Sequence, residues 1–285
     1  MLLEPWLTAA TTNSASGTYF HTSVTEDAGH RTVVLPQLQA YISKAHDDAR
    51  DRLRRAFRGT LDPFGPPLDP DPADGYPQRL HMNNLKGYFG EILAARFAEY
   101  GQPHATDGWY VPAFPFRYHD AAITRIREWQ KSGVLPKKVP GQSGDDCVAF
   151  VRDKTGRITR CLVCEAKCTK DSNKSLIDDA HEGVGRGGNE PSSIWRIVET
   201  LDQMGDPVSL EWAAAIRRDV MLAEHPVFER FDLVLYVCGQ SPVKKKTWID
   251  TEKPHATYVA SRSLHAVEVI VNDVEGLIKD AYHVP

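Results

Sequence analysis

Two aspartates, a glutamate and a lysine in the middle of the chain have the types and spacing of a metal-assisted hydrolytic site. Asp145 and Asp146 open one apolar run, and Glu165 and Lys167 end the next one. Mg²⁺ prefers oxygen ligands and binds through one or two carboxylates together with substrate phosphates. A bound divalent ion activates water and neutralises charge on a phosphate, while a lysine orients that water or stabilises developing charge. The pattern predicts phosphodiester hydrolysis with Mg²⁺ or Mn²⁺ as the cofactor.

The two apolar runs that carry these residues predict a β-hairpin. Residues 146–151 and 158–167 are rich in strand formers, and the segment 153–156 between them ends in a glycine suited to a tight turn. Side chains alternate along a strand, so Glu165 and Lys167 share one face. The residue between them points to the other face, which we expect to be the core.

Regular pairing of the two runs brings the start of the first beside the end of the second, so one aspartate lies close to Glu165. We favour Asp146 because it directly begins the apolar run, and Asp145 remains the alternative. The competing interpretation is a surface hairpin with an exposed Glu–Lys pair, since Glu-x-Lys occurs often by chance. The combination of a Gly-Asp-Asp strand start, a tight turn and Glu-x-Lys at the end of an apolar strand favours the site.

A helix before the hairpin supplies a third acid, Glu91. Apolar residues recur at helical spacing between residues 83 and 101, where Asn83 or Asn84 can cap the start and Gly101 can end the helix. Glu91 falls close to the buried edge of this stripe, which makes it a candidate metal ligand. An ordinary amphipathic helix with an exposed Glu91 is an equally supported alternative.

Composition and charge restrict the class of protein. The formal net charge of −4 over 285 residues gives no overall attraction to nucleic acid, so phosphate binding requires local basic residues. No run approaches the roughly 20 apolar residues of a membrane span. The first five residues lack the basic and apolar regions of a signal peptide. We therefore expect a cytoplasmic protein without a membrane partner.

The five cysteines could belong to a disulfide framework, to a metal cluster or to the core. The odd number in a chain without a secretion signal argues against disulfides. Cys161, Cys164 and Cys168 have a spacing found in zinc and iron–sulfur sites. On a regular strand, however, Cys161 and Cys164 face opposite sides and cannot bind one ion. We expect core residues, with a redox or metal-cluster protein as the alternative.

The order of elements predicts an α/β fold with a central mixed sheet flanked by helices. Residues 1–80 are expected to form a helical and irregular N-terminal extension, with a helix over 38–57. Residues 81–285 are expected to form the main domain. The continuous apolar run 231–239 indicates a central strand buried on both faces, and a helix is predicted over 274–282.

This order of elements resembles the PD-(D/E)XK nuclease superfamily over roughly residues 83–282. The resemblance implies a restriction-endonuclease-like fold and cleavage of DNA. It also implies that Asp146 and Glu165 bind metal, that Lys167 positions or activates the attacking water, and that Glu91 matches the helical acid of the family. The usual proline before the first aspartate is absent, and Gly144-Asp145 stands there instead, which leaves Asp145 as a competitor of Asp146.

Within that superfamily, two features are similar to the nuclease subunits of the Hachiman anti-phage defence system. These are the Lys-Gly-Tyr-Phe-Gly-Glu helix that ends at Glu91 and the closing strand–Asp273–helix unit. That resemblance implies a superfamily 2 helicase as protein partner. The alternative function is a catalytically inactive subunit with a nuclease fold that binds nucleic acid or assembles a complex, which the weakly acidic net charge also allows.

Overall fold

The structure is a computed structural model that describes residues 5–14, 17–57, 71, 73–116, 145–222, 228–243 and 246–284. Its centre is a six-stranded mixed sheet in the order β1-β2-β6-β5-β4-β3. The strands are β1 (Leu7–Asn13), β2 (Tyr19–Glu26), β3 (Cys147–Arg152), β4 (Ile158–Thr169), β5 (Glu229–Cys238) and β6 (Leu264–Ile270).

Helices cover both faces of this sheet. The α-helices that the structure describes are α1 (Arg31–Ala45), α2 (Asp47–Phe57), α3 (Met82–Tyr100), α4 (Lys174–Gly185), α5 (Ile194–Met204), α6 (Pro207–Ile216) and α7 (Val274–Tyr282). The chain continues from α6 into one π-helical stretch, Arg217–Met221. Among these described helices none is long and apolar enough to cross a membrane.

Four neighbouring strands of the sheet are parallel, and the two edge strands are antiparallel. β2, β6, β5 and β4 run in one direction, whereas β1 and β3 run against their neighbours. Parallel strands with helices on both faces have no solvent face, so their sequences are continuously apolar. β5 is buried at every position after Glu229, which confirms the prediction of a doubly buried central strand.

Two apolar layers flank the sheet. Leu235, Val267 and Ala166 face α1, α3 and α7 on one side. Val163 and Val234 face α4, α5 and α6 on the other side. These two layers confirm the predicted α/β class with a mixed sheet between helices, while the restriction-endonuclease-like arrangement remains a prediction.

The N-terminal residues complete the sheet. β2 pairs in parallel with β6, with Tyr19 opposite Leu264, and Leu38 of α1 lies in the main core. The sheet therefore runs across the boundary that the sequence suggested at residue 80. The single helix predicted over 38–57 is wrong in its bounds, because α1 begins at Arg31 and the chain turns at His46 before α2 begins.

The predicted hairpin is present as β3 and β4. Gly156 has a φ of +79° in the turn, a left-handed conformation that glycine adopts without strain. The Asp153 carboxylate accepts hydrogen bonds from the backbone N–H groups of Thr155 (2.8 Å) and Arg157 (3.0 Å). These bonds close the turn and set the register, in which Cys147 lies opposite Cys164.

Four of the five cysteines are buried in the core as predicted, and Cys168 is partly buried against it. All five are free thiols. Cys161 lies in the layer of α4–α6, and Cys164 lies in the layer of α1, α3 and α7, so the two face opposite sides of β4. Burial raises the pKa of the Cys161 thiol well above its ordinary value, which keeps the group in its neutral form.

Candidate active site

Strand β4 presents Glu165 and Lys167 on the sheet face that α4 covers. The Nζ of Lys167 donates a hydrogen bond of 2.7 Å to Oε1 of Glu165. The glutamate side chain is 9% exposed and the lysine side chain 21% exposed. The pair therefore lies at the border of the core, where the lysine keeps contact with solvent and the carboxylate is nearly enclosed.

Asp146 lies beside Glu165 at the start of the neighbouring strand. Because Cys147 pairs with Cys164, Asp146, which directly precedes Cys147, falls opposite Glu165 and on the same face of the sheet. The backbone N–H of Asp146 donates to the carbonyl of Cys164 at 3.1 Å. Its Oδ2 accepts from the backbone N–H of Ala166 at 2.8 Å, and the residue is only 3% exposed. The acid is thus fixed by two bonds to the strand that carries Glu165.

The two candidate aspartates have different environments. Oδ2 of Asp145 accepts from the backbone N–H of Ser193 at 2.8 Å, and the N–H of Asp145 donates to Oγ of Ser193 at 2.7 Å. Ser193 is the residue at the start of α5. Asp145 therefore fastens that helix to the hairpin, and Asp146 is the aspartate that faces Glu165.

Helix α4 closes the site over Glu165 by means of a glycine. A Cβ atom on Gly183 would lie 3.3 Å from Cδ of Glu165, which is tighter than ordinary van der Waals contact. The start of the same helix is held by Tyr236, whose hydroxyl accepts from the backbone N–H of Asn173 at 2.8 Å. Tyr236 lies directly opposite Lys167 on β5, so the helix is anchored at one end beside the lysine and fitted at the other against the glutamate.

A buried charge cluster fixes the end of α4. The carboxylate of Asp232 accepts from Nε of Arg230 and from Nε of Arg262, each at 2.9 Å. Both arginines also donate to the carbonyl of Val184, at 3.1 and 3.3 Å. Val184 directly follows Gly183, so these contacts hold the glycine against Glu165. Asp232 is completely buried, and its pairing with two arginines offsets the cost of that burial.

The structure does not bring Glu91 to this face. Its helix, α3, packs on the opposite side of the sheet, where a Cβ on Gly90 would lie 3.5 Å from the Cβ atoms of Ala166 and Cys168. Glu91 is 2% exposed. Burial, and after it the charge of Glu91, raises the pKa of Tyr282 on α7 well above its ordinary value. Glu91 is therefore buried beside a tyrosine of α7, as its place near the buried edge of the helical stripe suggested, and the alternative of an exposed Glu91 is wrong.

The donor set is compatible with magnesium or manganese. Asp146 and Glu165 offer carboxylate oxygens only, and Mg²⁺ is commonly held by one or two carboxylates with waters and phosphate oxygens completing the shell. Within the described ranges there is no group of three or more His, Cys, Asp or Glu side chains that could hold a metal ion. Two carboxylates leave the remaining coordination positions of such an ion to waters and to oxygens of a substrate phosphate.

Basic residues near the end of β4 are exposed. Lys170 directly follows the strand and Lys174 begins α4, and both side chains face solvent. The pKa of Glu275 is lowered chiefly by a hydrogen bond from Lys86 and, to a smaller extent, by the charge of Lys170. Local positive charge of the kind needed for phosphate binding is therefore present at this edge of the sheet.

Two positioning residues were not predicted from the sequence. Ser193 is a helix-capping residue type immediately before an apolar helical pattern, so its place at the start of a helix was predictable. Its contact with Asp145 was not predictable, because the two residues are far apart in the chain. Gly183 begins a glycine-rich segment, and its fit against Glu165 depends on tertiary packing.

Comparison of the chain with protein-family models and with curated protein sequences finds no match.

Proposed function

We propose that this chain is a metal-dependent nuclease that hydrolyses phosphodiester bonds of DNA. The observation that carries the proposal is the grouping of Asp146, Glu165 and Lys167 on one sheet face, with Asp146 bonded to the backbone between the other two. Two carboxylates and a lysine, partly enclosed at a strand end, support phosphoryl-ester chemistry more directly than any other reaction class.

Each residue has a distinct role in the proposal. Asp146 and Glu165 hold Mg²⁺ or Mn²⁺ through their carboxylate oxygens. When bound, the ion supplies an acidified water and neutralises charge on the phosphate. Lys167 touches Glu165 and remains partly exposed, so its ammonium group can orient a water or contact a phosphate oxygen beside the carboxylates. Lys170 and Lys174 contribute to holding the phosphate backbone.

The resemblance to the PD-(D/E)XK nuclease superfamily is part of this proposal. The hairpin with Asp146 on one strand and Glu165-Ala166-Lys167 on the other supports it. A role for Glu91 as a further acid rests on the resemblance alone, since α3 packs on the other face of the sheet. We also propose, from the similarity to Hachiman nuclease subunits, an anti-phage function under the control of a partner helicase.

Cleavage assays with matched variants test the catalytic proposal. Purified protein, alone or together with its partner, is expected to degrade DNA with Mg²⁺ or Mn²⁺, and cleavage is expected to stop when EDTA is added. Glu165→Ala and Lys167→Ala are each expected to abolish cutting without a change in the far-ultraviolet circular dichroism spectrum. Glu182→Ala is the control, because Glu182 is an exposed acid on α4 that pairs with Arg186. Unchanged cutting in both site variants would disprove the assignment.

Purification with and without a partner tests regulation and the alternative function. If a helicase controls the enzyme, it is expected to co-purify with the chain and to alter the cleavage rate. Failure to find any stable partner would argue against this part of the proposal. DNA binding that persists without metal-dependent turnover, with the partner included, would favour the inactive binding or assembly subunit instead.

A further inference from the structure

One edge of the central sheet is covered and the other is bare. On the outer side of β3, the backbone N–H groups of Tyr110 and Phe150 each donate to the carbonyl of the other residue, at 3.0 and 2.9 Å. The opposite edge is β1, and no further described strand pairs with it. Every β1 residue after Leu7 is exposed, so this edge is open to a partner strand.

Alternate residues of β1 direct their backbone groups away from β2. The N–H of Asp27 donates to the carbonyl of Trp6 at 2.8 Å, and the N–H of Ser14 donates to that of Tyr19 at 2.9 Å. In an antiparallel pair, residues bonded to the neighbouring strand alternate with residues whose N–H and C=O face the other side. Trp6, Ser14 and the even-numbered residues between them are therefore bonded to β2. The outward groups belong to the remaining residues, Leu7, Ala9, Thr11 and Asn13.

Strand β1 lacks the features that normally protect a sheet edge. Natural edge strands carry charged residues, proline or a bulge that prevents pairing with another chain. β1 has the sequence Leu-Thr-Ala-Ala-Thr-Thr-Asn, which contains no charge and no proline. Its seven pairs with β2 are consecutive, without a bulge, and a hydrogen bond of 2.8 Å between the hydroxyls of Thr11 and Thr22 holds it in place. The strand is thus regular, uncharged and open on its outer side.

We propose that β1 pairs antiparallel with β1 of a second copy of this chain and so joins the two sheets. Antiparallel pairing of a strand with itself is a two-fold contact, in which the same surface serves both subunits. Like charges on directly opposite residues destabilise such a pair, and β1 has none. A strand without charge is therefore suited to a copy of itself.

One register of this contact uses all the outward backbone groups. When Ala10 lies opposite Ala10 of the second copy, Ala9 lies opposite Thr11 and Leu7 lies opposite Asn13. Each of these outward-facing pairs exchanges two hydrogen bonds. Ala10 itself falls in a pair without hydrogen bonds, in which the Cα atoms are only about 4.5 Å apart. The small alanine side chain fits that spacing.

The candidate active site lies towards the other end of the sheet. β4 is four strand positions away from β1, which is about 19 Å at the usual spacing of neighbouring strands. Pairing through β1 therefore puts the two candidate sites towards opposite ends of the joined sheet. The inference goes beyond the proposed nuclease function and does not depend on it.

The mass of the full-length protein in solution tests the contact. Wild type is expected to sediment as a dimer in analytical ultracentrifugation. Ala9→Pro removes an outward N–H and leaves the bonds to β2 in place. This variant is expected to have half the mass of wild type, with an unchanged far-ultraviolet circular dichroism spectrum. Ala9→Thr keeps the N–H, and this control is expected to remain a dimer.

Cysteine cross-linking tests the register without the use of proline. The Cα spacing expected at Ala10 is within reach of a disulfide, so Ala10→Cys is expected to form a covalent dimer on mild oxidation. Ala9→Cys is the matched control, because this neighbouring exposed alanine lies opposite Thr11 and not opposite itself. Little covalent dimer is expected from it. Wild type, whose cysteines are buried or partly buried, gives the background.

Three results would overturn the inference. A wild-type protein that is monomeric up to its solubility limit would leave the edge to a strand of another protein. A dimer that persists in Ala9→Pro would have to form through another surface. Equal cross-linking of Ala9→Cys and Ala10→Cys would indicate random collision and not a fixed register.

Discussion

The carboxylate of Asp146 accepts a hydrogen bond of 2.8 Å from the backbone N–H of Ala166, the residue between Glu165 and Lys167. One strand therefore carries two of the candidate residues as side chains and fixes the third through its backbone. A site built in this way keeps its geometry as long as the hairpin keeps its register. It also gives Asp146, Glu165 and Lys167 separate roles that can be measured one at a time.

Asp146→Asn is expected to remove metal-dependent cleavage while preserving the fold. The asparagine side-chain oxygen can still accept from the Ala166 N–H, so only the charge is lost. Cleavage is expected to fall by on the order of 100-fold or more, the scale seen when one electrostatic group is removed from an active site. Cleavage rates and Mn²⁺ titration calorimetry measure this, with the thermal midpoint as a check on folding.

Asp145→Asn is the matched control for that variant. It removes the neighbouring charge and retains an oxygen that can accept from the Ser193 N–H. Cleavage within a fewfold of wild type is expected. The opposite pattern, in which Asp145→Asn is inactive and Asp146→Asn is active, would assign the metal to Asp145.

Gly183→Ala is expected to lower cleavage without lowering stability. The added Cβ would lie 3.3 Å from Cδ of Glu165, so the carboxylate must shift by a few tenths of an ångström, and small displacements at a reacting centre are costly. Alanine favours a helix over glycine by about 1 kcal/mol, which offsets the strain in the free energy of unfolding. We expect roughly tenfold slower cleavage, measured together with the urea midpoint.

Gly188→Ala is the control for that substitution, since no atom lies within 4 Å of the Cβ position and its φ is not positive. It is expected to cut and unfold as wild type does. If Gly183→Ala also cuts at the wild-type rate, the helix does not position Glu165 and this part of the model of the site is incorrect.

Glu91→Gln distinguishes a core residue from a metal ligand. Glu91 lies in the layer between α3 and α7, where its charge acts on Tyr282. Metal affinity and cleavage are therefore expected to stay close to wild type, and the change is expected in the thermal midpoint. A loss of metal binding with an unchanged midpoint would instead give Glu91 the catalytic role that the family resemblance implies.

Acid is expected to destabilise the protein at a pH above the range in which carboxylates titrate. Burial lowers the pKa of His46 to about 3 and, as the largest effect, lowers those of His104 and His181 to about 4, from an ordinary value of 6.5. The unfolded chain takes up these protons first. The contribution of the neutral histidines to the free energy of unfolding is thus complete above pH 6.5. It decreases as the pH falls below that value, by up to about 1.4 kcal/mol per pH unit for each histidine.

One partly buried carboxyl group, that of Asp48, acts in the opposite sense. Burial raises the pKa of Asp48 to about 6, so its protonation favours the folded state between that pH and its ordinary value of 3.8. Urea midpoints are expected to fall as the pH is lowered from 7.5 to 5. His181→Gln is expected to make the slope of this profile smaller by the amount that corresponds to one proton taken up on unfolding. A profile that is level across this range would contradict the assignment of buried, neutral histidines.

Local features were predictable because local chemistry determines them. The turn at Gly156, the alternation that separates Glu165 from Cys164, and the doubly buried strand β5 all follow from short-range patterns. The hairpin alone therefore placed three of the four proposed site residues together.

Features that depend on long-range packing were not predictable. Nothing near β2 indicates that its partner is β6, at the other end of the chain. The position of Glu91 depends on which sheet face receives α3, and helical periodicity identifies a buried stripe without identifying what buries it. The choice between Asp145 and Asp146 likewise depended on Ser193, which is remote in sequence.

The register of the hairpin limits how this chain can change in length. Asp146 lies beside Glu165 because Cys147 lies opposite Cys164. A deletion of one residue within β3 would carry Asp145 to that position and force Asp146 into the core place of Cys147, whereas an insertion would put Cys147 beside Glu165. An insertion or deletion in the turn therefore preserves the site, whereas one within β3 does not. Asp145 consequently cannot replace Asp146 after such a change.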